Sequence, residues 1–323
     1  MNDYKHFPPS WSNVYKDYKV LKVLGIGGMA IVYLVETLDK NKYHFALKYR
    51  KQDNNNDNLL RFRNELFLHK KINSKNFPYI VDEYINAFNE QYFVMEYIEG
   101  KTLKEIIKEN RFIETRIAIM YARQIANGIS KIHNLGIIHR DIKSENIMIT
   151  NDQKIKIIDL GISFDTSKSV NNVPNSVCTS YYNAPETIEN SNNISNAVDI
   201  YSLGILIYEM LTGKYPFKGS TPIETILMHK RYRMPSLRNI KGVSETLEMI
   251  INKATAKNPN DRYCCIFDFN KDLETYLKIE YLSKNLPSQR KSKNSKIMLY
   301  FLWYSISIMF LIIVVILLSM INK

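Results

Sequence analysis

The spacing of apolar residues changes period once along this chain, between Met95 and Gly100, and that switch restricts the fold more than any other feature. Before it, short alternating or continuous runs (YKVLKVLG, IVYLVE, YHFALKY, YINAFNEQYFVMEY) predict antiparallel strands, interrupted by one amphipathic helix around LLRFRNELFLHKKI. After it, RIAIMYARQIANGISKIH, VDIYSLGILIYEML and SETLEMIINKA repeat apolar residues at helical spacing. The expected architecture is α+β, a small antiparallel β lobe followed by a larger helical lobe. With 45% hydrophobic residues such a chain can bury a core, and 11 Gly and 3 Cys exclude a collagen-like or disulfide-stapled protein. The Asn-rich QDNNNDN at 52–58 reads as a solvated loop.

Charge is unevenly placed. The net charge is +12, but residues 284–323 hold six basic residues and no acid, leaving 38 basic against 32 acidic residues before them. From Ile297 to Ile321 run 25 residues without Asp, Glu, Lys or Arg. At about 1.5 Å per residue this run exceeds the ~30 Å hydrocarbon core of a bilayer, and it predicts one C-terminal transmembrane helix. The basic linker 284–296 before it predicts a cytoplasmic side for the large N-terminal part and attraction to anionic lipid headgroups, with a solvated basic linker as the alternative and only Asn322 and Lys323 expected beyond the span. The polar opening MNDYKHFPPS does not resemble a signal peptide, and Cys178, Cys264 and Cys265 lack metal-ligand spacing, which suits reduced thiols in the cytosol.

Gly25-Ile-Gly27-Gly28-Met29-Ala30 follows one strand pattern and precedes another, IVYLVE. A dinucleotide-binding turn would need a helix there. A glycine hairpin laying backbone amides over phosphates fits instead, with an ordinary tight turn as the alternative. FALK places Lys48 in an apolar strand, and Glu65 shares a helix face with Phe62, Leu66 and His69. These two charges can form a buried pair or can snorkel independently.

IIHRDIKSENIMI at 137–149 and IKIIDLG at 155–161 are more specific. With His139-Arg140-Asp141, Lys143, Asn146, Asp159-Leu160-Gly161, Ala184-Pro185-Glu186 and Asp199-Ile200-Tyr201-Ser202-Leu203-Gly204 in order, the chain resembles eukaryotic-type protein kinases over about residues 18–280. GIGGMAIVYL with VMEYIEGKTL is similar to bacterial membrane-anchored Ser/Thr kinases of the PASTA-receptor type. Those carry extracellular repeats, and here no external sensor is expected.

The resemblance implies ATP and Mg²⁺, with Mn²⁺ admissible, and protein substrates. Asp141 would take or orient the substrate hydroxyl proton, Lys143 would meet the γ-phosphate, and Asn146 and Asp159 would ligate the metal. Lys48, steadied by Glu65, would hold the α and β phosphates under Gly25, Gly27, Gly28 and Ala30. Met95 stands at the gatekeeper position, Glu96 to Ile98 at the hinge, and Val32, Ala46 and Met148 around the adenine ring. His139, Glu186 and Arg262 are implied to be fold residues. The implied organisation is an N-terminal extension 1–17, a kinase domain 18–283 with lobes 18–95 and 96–283, the linker 284–296, the span 297–321 and an external tail 322–323.

Arg140 before Asp141 is similar to kinases in which this arginine binds a phosphate on the activation segment, here Asp159 to Glu186. Thr166, Ser167, Ser169 and Ser176 are candidate acceptors, while Thr179 sits where the family has a threonine contacting the catalytic aspartate and lysine. Ala30 and Leu160 depart conservatively from the third loop glycine and the DFG phenylalanine. The resemblance also admits a homodimer through the small lobe, contact with membrane lipid, and no nucleic acid. A pseudokinase scaffold and a small-molecule phosphotransferase are the alternatives. Retention of the charged set disfavours the first, and the segment ending in APE the second.

Overall fold

A computed structural model describes residues 6–53, 55–86, 90–166, 180–187 and 194–285. The chain divides into one unit ending at Leu277 and a second beginning at Lys278. The span 297–321, the linker beyond residue 285, and Ser167, Ser169, Ser176, Cys178 and Thr179 lie outside the described residues. Among the described residues no helix is long and apolar enough to cross a membrane.

The small lobe is a five-stranded antiparallel sheet of β1 (Tyr18–Ile26), β2 (Ala30–Thr37), β3 (His44–Arg50), β4 (Ile80–Ile85) and β5 (Gln91–Glu96), in spatial order β1-β2-β3-β5-β4. The YINAFNEQYFVMEY run holds the end of β4, at Tyr84 and Ile85, and all of β5. After the one-turn helix α1 (Val14–Asp17) and these first three strands comes helix α2 (Asn56–Lys71), capped by the Asn55 side chain on the Asp57 N–H at 2.9 Å. Its buried face is Phe62, Glu65, Leu66 and His69, as the spacing predicts, with Leu68 buried too. It packs on the inner sheet residues Ala30, Ala46, Phe93 and Met95.

The opposite sheet face is rich in tyrosine, with Tyr33, Tyr49 and Tyr92 buried beside Val35, Leu47 and Val94. Residues 6–17 lie against it. Val14 is wholly buried, the Phe7 ring meets Tyr33 edge-on at 6.1 Å, and the Tyr33 hydroxyl donates to the His6 carbonyl. The Ser12 hydroxyl donates to Glu90, whose buried carboxylate also receives the Tyr49 hydroxyl at 3.2 Å. These first residues therefore belong to the small lobe's packing rather than trailing from it.

The large lobe opens with β6 (Gly100–Thr102) and α3 (Leu103–Asn110), joined by a capping box between Thr102 and Glu105. Helices α4 (Thr115–His133) and α5 (Ala197–Thr212) form its centre, with α6 (Pro222–Arg231), α7 (Glu245–Ala254) and α8 (Ile266–Asn285) following. All but two residues of α5 are buried, which its continuous apolar run requires. Gly204 lets α7 approach: a Cβ there would lie 2.6 Å from Thr255. Short strands β7 (Ile137–Ile138), β8 (Ile147–Thr150), β9 (Ile155–Ile157) and β10 (Phe164–Asp165) carry the loops between, pairing β6-β8-β9 and β10-β7. Arg262 grips Glu186 with two bonds of 2.7 Å and the Ala197 carbonyl at 2.8 Å, the fold role expected of this pair.

Two measurements test this packing. Replacing the buried Val14 (Val14→Ala) is expected to cost about 1–2 kcal/mol and to lower the thermal midpoint by a few degrees; an unchanged midpoint would detach residues 6–17 from the sheet. Burial pushes His69 down to about 4 and His229 down to about 3. Below pH 6.5 the unfolded chain takes up protons that the folded one refuses until those values, so stability should fall with acidification. Each histidine contributes a slope of about 1.4 kcal/mol per pH unit. Urea unfolding of His69→Leu should show a shallower decline between pH 6.5 and pH 4 than the parent protein.

Candidate active site

Lys48, on β3, reaches across to α2 and meets both Glu65 oxygens, at 2.5 and 2.7 Å. The Glu65 side chain is fully buried and that of Lys48 is 10% exposed, so the pairing left open by the spacing is formed. Asp159 Oδ1 stands 3.5 Å from the same ammonium. Burial pulls the lysine down, but Asp159 and Glu65 outweigh it and the net shift is upward. Burial drives Glu65 up to about 7 against the attraction of Lys48. Asp159, which burial alone would raise, is held below the usual range by Lys48 and by the Gly161 N–H at 3.0 Å. Asp159 therefore stays ionised.

Lys48 and Asp159 face a cleft of about 920 Å³, a volume suited to a nucleotide-sized ligand, with Glu65 buried behind Lys48. Its roof is the β1–β2 hairpin, closed by the Gly27 N–H on the Ala30 carbonyl at 2.9 Å. Nothing lies within 4 Å of where a Cβ on Gly25 or Gly28 would sit, so this backbone is open to a phosphate chain. Ala30 is 2% exposed, and its methyl belongs to the small-lobe core. Val32, Ala46, Met95, Ile98 and Met148 line the apolar part. At the hinge the Glu96 N–H bonds the Tyr79 carbonyl at 3.0 Å, and the Glu96 carboxylate takes Lys156 at 2.6 Å.

On the floor, Asp141 Oδ2 receives the Lys143 ammonium at 2.6 Å and the Asn146 amide at 2.8 Å. Asn146 donates a second bond to the Asp141 carbonyl at 2.9 Å, which turns its oxygen end outward from this pair. An amide oxygen and an ionised carboxylate are hard donors, and the two residues share the cleft, so Asn146 and Asp159 fit a magnesium ion. The loop itself is fixed from below by Asp199. That wholly buried carboxylate accepts the His139 N–H at 2.9 Å, the Arg140 N–H at 2.8 Å and His133 Nε2 at 2.7 Å. Arg140 takes φ 68°, a left-handed turn that this pair of bonds secures. His139 is fully buried and absent from the cleft lining, the packing role implied for it.

All the sequence-derived site residues converge here, Glu65 through Lys48. Others were not visible in the spacing. Lys51 holds the hairpin by its bond to the Gly27 carbonyl at 2.6 Å, Lys156 braces the hinge, and Asn64 ties α2 to the Ser163 carbonyl at 2.9 Å. Only the partners, distant in sequence, give these lysines and this asparagine their roles. If the Lys48–Glu65 pair is the strut between sheet and helix, Lys48→Met should destabilise by about 3 kcal/mol by stranding a buried carboxyl. Lys48→Met/Glu65→Leu should recover most of that loss in urea unfolding.

Against this geometry the comparisons with known proteins agree. The protein kinase domain family matches residues 18–272. A probable serine/threonine-protein kinase of Clostridium acetobutylicum is 37% identical over 250 residues, 76% of this chain and 38% of the relative. The serine/threonine-protein kinase PrkC of Bacillus subtilis is 37% identical over 273 residues, 83% of this chain and 41% of the relative. PknB of Mycobacterium tuberculosis, also a serine/threonine-protein kinase, is 34% identical over 269 residues, 79% and 42% of the two chains. The chain thus spans about two fifths of the length of these curated relatives. By its match and its two-lobed fold, the chain belongs to the protein kinase domain family.

Proposed function

We propose that this protein is an ATP- and Mg²⁺-dependent serine/threonine protein kinase, with Mn²⁺ as an alternative metal, that phosphorylates proteins and also its own activation segment. The observation that carries this reading is the convergence of Lys48–Glu65, Asp159, Asn146 and Asp141–Lys143 on one cleft. Phosphoryl transfer needs little covalent participation from a protein and much positioning and charge neutralisation. Asp141, oriented by two donors, takes up the proton of a Ser or Thr hydroxyl as its oxygen bonds to the γ-phosphorus of ATP and the bond from that phosphorus to the β–γ bridging oxygen breaks, releasing ADP. Lys143, 2.6 Å away, meets the charge on the transferring group. Lys48 holds the phosphate chain in line from the roof. A divalent ion on Asp159 and Asn146 supplies neutralisation of the phosphate oxygens when bound.

We assign the catalytic domain to residues 18–283, with the small lobe at 18–95 and the large lobe at 96–283. Residues 297–321 anchor it to the cell membrane in a single pass, with the kinase domain cytoplasmic and residues 322–323 outside. The support is the 25-residue uncharged run and the basic 284–296 before it, which also meets lipid headgroups. Pairing of two copies through the small lobe belongs to the same reading. It would form with residues 6–17 in place on the outer sheet face.

Transfer of label from radioactive ATP to casein or myelin basic protein tests the activity. Asp141→Asn should lower the rate by about 10²–10⁴-fold, with the label on serine or threonine; equal incorporation by both proteins would remove Asp141 from the mechanism. Deletion of 297–323 should release the protein from carbonate-washed membranes, and its retention there would refute the anchor.

A further inference from the structure

Beside the catalytic loop, the rim of the cleft carries a charged cluster that the transfer step does not use. Glu209 on α5 has a side chain only 2% exposed, yet its charge is answered from the solvent side. Lys104, on α3 and 36% exposed, bonds Glu209 Oε1 at 2.8 Å. The Tyr182 hydroxyl donates to Oε2, and Ser144 Oγ donates to Oε1 at 3.2 Å. The Lys104 ammonium also donates to the Tyr215 hydroxyl, lies 4.4 Å from that ring's centre and stands 3.8 Å from Glu145.

The cluster sits where an acceptor polypeptide must pass. Glu145 lines the same cleft as Asp141, and so do Thr102 and Glu105 on either side of Lys104 in the chain. A hydroxyl brought to Asp141 carries its flanking residues over this rim. Two carboxylates converge there, one of them buried, and such a pair attracts a cation strongly in a part-desolvated setting. The chain supplies that cation itself. An arriving arginine or lysine would have to displace a tethered lysine already bonded to Glu209, and would meet a like charge while doing so.

We propose that Lys104 is a specificity-determining residue: it fills, from within the chain, an acidic subsite of Glu209 and Glu145 that would otherwise accept a basic side chain of the substrate. The protein accordingly selects acceptor segments that are uncharged or acidic at that position. This inference rests on the protein-kinase reading above. Lys104 touches neither the phosphates nor the reacting hydroxyl, so its replacement should alter which peptides are used and leave ATP turnover on neutral peptides in place.

The experiment is a peptide array around one Ser/Thr acceptor, with arginine, alanine or glutamate placed at each flanking position in turn. The full chain, Lys104→Met and Lys104→Met/Glu209→Gln are compared with ATP and Mg²⁺. The parent should disfavour arginine against alanine at one position, Lys104→Met should reverse this to a preference of about tenfold, and the double variant should show neither. A position-by-position pattern in Lys104→Met identical to the parent's overturns the proposal. Should Lys104→Met fail to fold, the double variant decides, because persistence of the parent's discrimination against arginine in it is the overturning result. If the parent labels no peptide, the kinase reading itself falls; fluorescence anisotropy with the arginine peptides then decides, equal binding by parent and double variant overturning the proposal and tighter binding by Lys104→Met supporting it.

Discussion

The placing of Lys48 between two carboxylates is the constraint on which the site depends. One cation joins a sheet strand, a helix and the loop after β9, at 2.5 Å from Glu65 and 3.5 Å from Asp159. Lys48 and Glu65 are buried, and neither charge is stable there without the other, while Asp159 meets the same cation from the cleft side. Their mutual compensation therefore ties the orientation of α2 to the position of Asp159, and the apolar face of Phe62, Leu66 and Phe93 makes that orientation specific. Further polar ties support it: Asn64 to the Ser163 carbonyl, and Lys71 to the buried Asp165 at 2.7 Å. Sheet and loop cannot shift independently without leaving one of these charges in an apolar surrounding.

A second carboxylate does for the large lobe what that cation does for the small one. Asp199 is buried at the start of α5 and organises the backbone of His139 and Arg140 with two N–H bonds. Burial would raise its pKa, but His133 and His139 more than reverse this and hold it low. The residue that shapes the loop is thus distant in sequence from the residues that act in it. That separation explains why the acidic start of α5 carries chemistry although it never reaches the cleft.

Local chemistry was legible, and long-range choice was not. The strands around Val32 and Lys48, the buried face of α2 and the deep burial of α5 follow from period and polarity, because each depends on neighbours a few residues away. The catalytic set was legible through resemblance: Asp141, Lys143, Asn146 and Asp159 stand in two short motifs in the family's order, and Lys48 and Glu65, far upstream, took their roles from that match. Residues 6–17 offered no period: Phe7, Ser12 and Val14 are irregularly spaced among prolines and polar residues, and their partners Tyr33, Tyr49 and Glu90 belong to other strands. Likewise Lys104 reads as an ordinary helix-surface lysine until Glu209, 105 positions later, is seen beneath it. Pattern identifies which faces are buried; it does not name the partner of a side chain across the fold.

Helix α5 carries both Asp199 and Glu209, ten residues apart. At about 1.5 Å of rise per residue this fixes ~15 Å between the anchor of the His139–Arg140 loop and the acid at the rim. The helix is in effect a ruler that holds the backbone of His139 and Arg140 at one graduation and the Glu209–Lys104 pair at another. Lengthening or shortening it would disturb both together, whereas exchanging a side chain at one end leaves the other untouched. Diversification of such a scaffold is thereby channelled into substitutions along a helix of constant length.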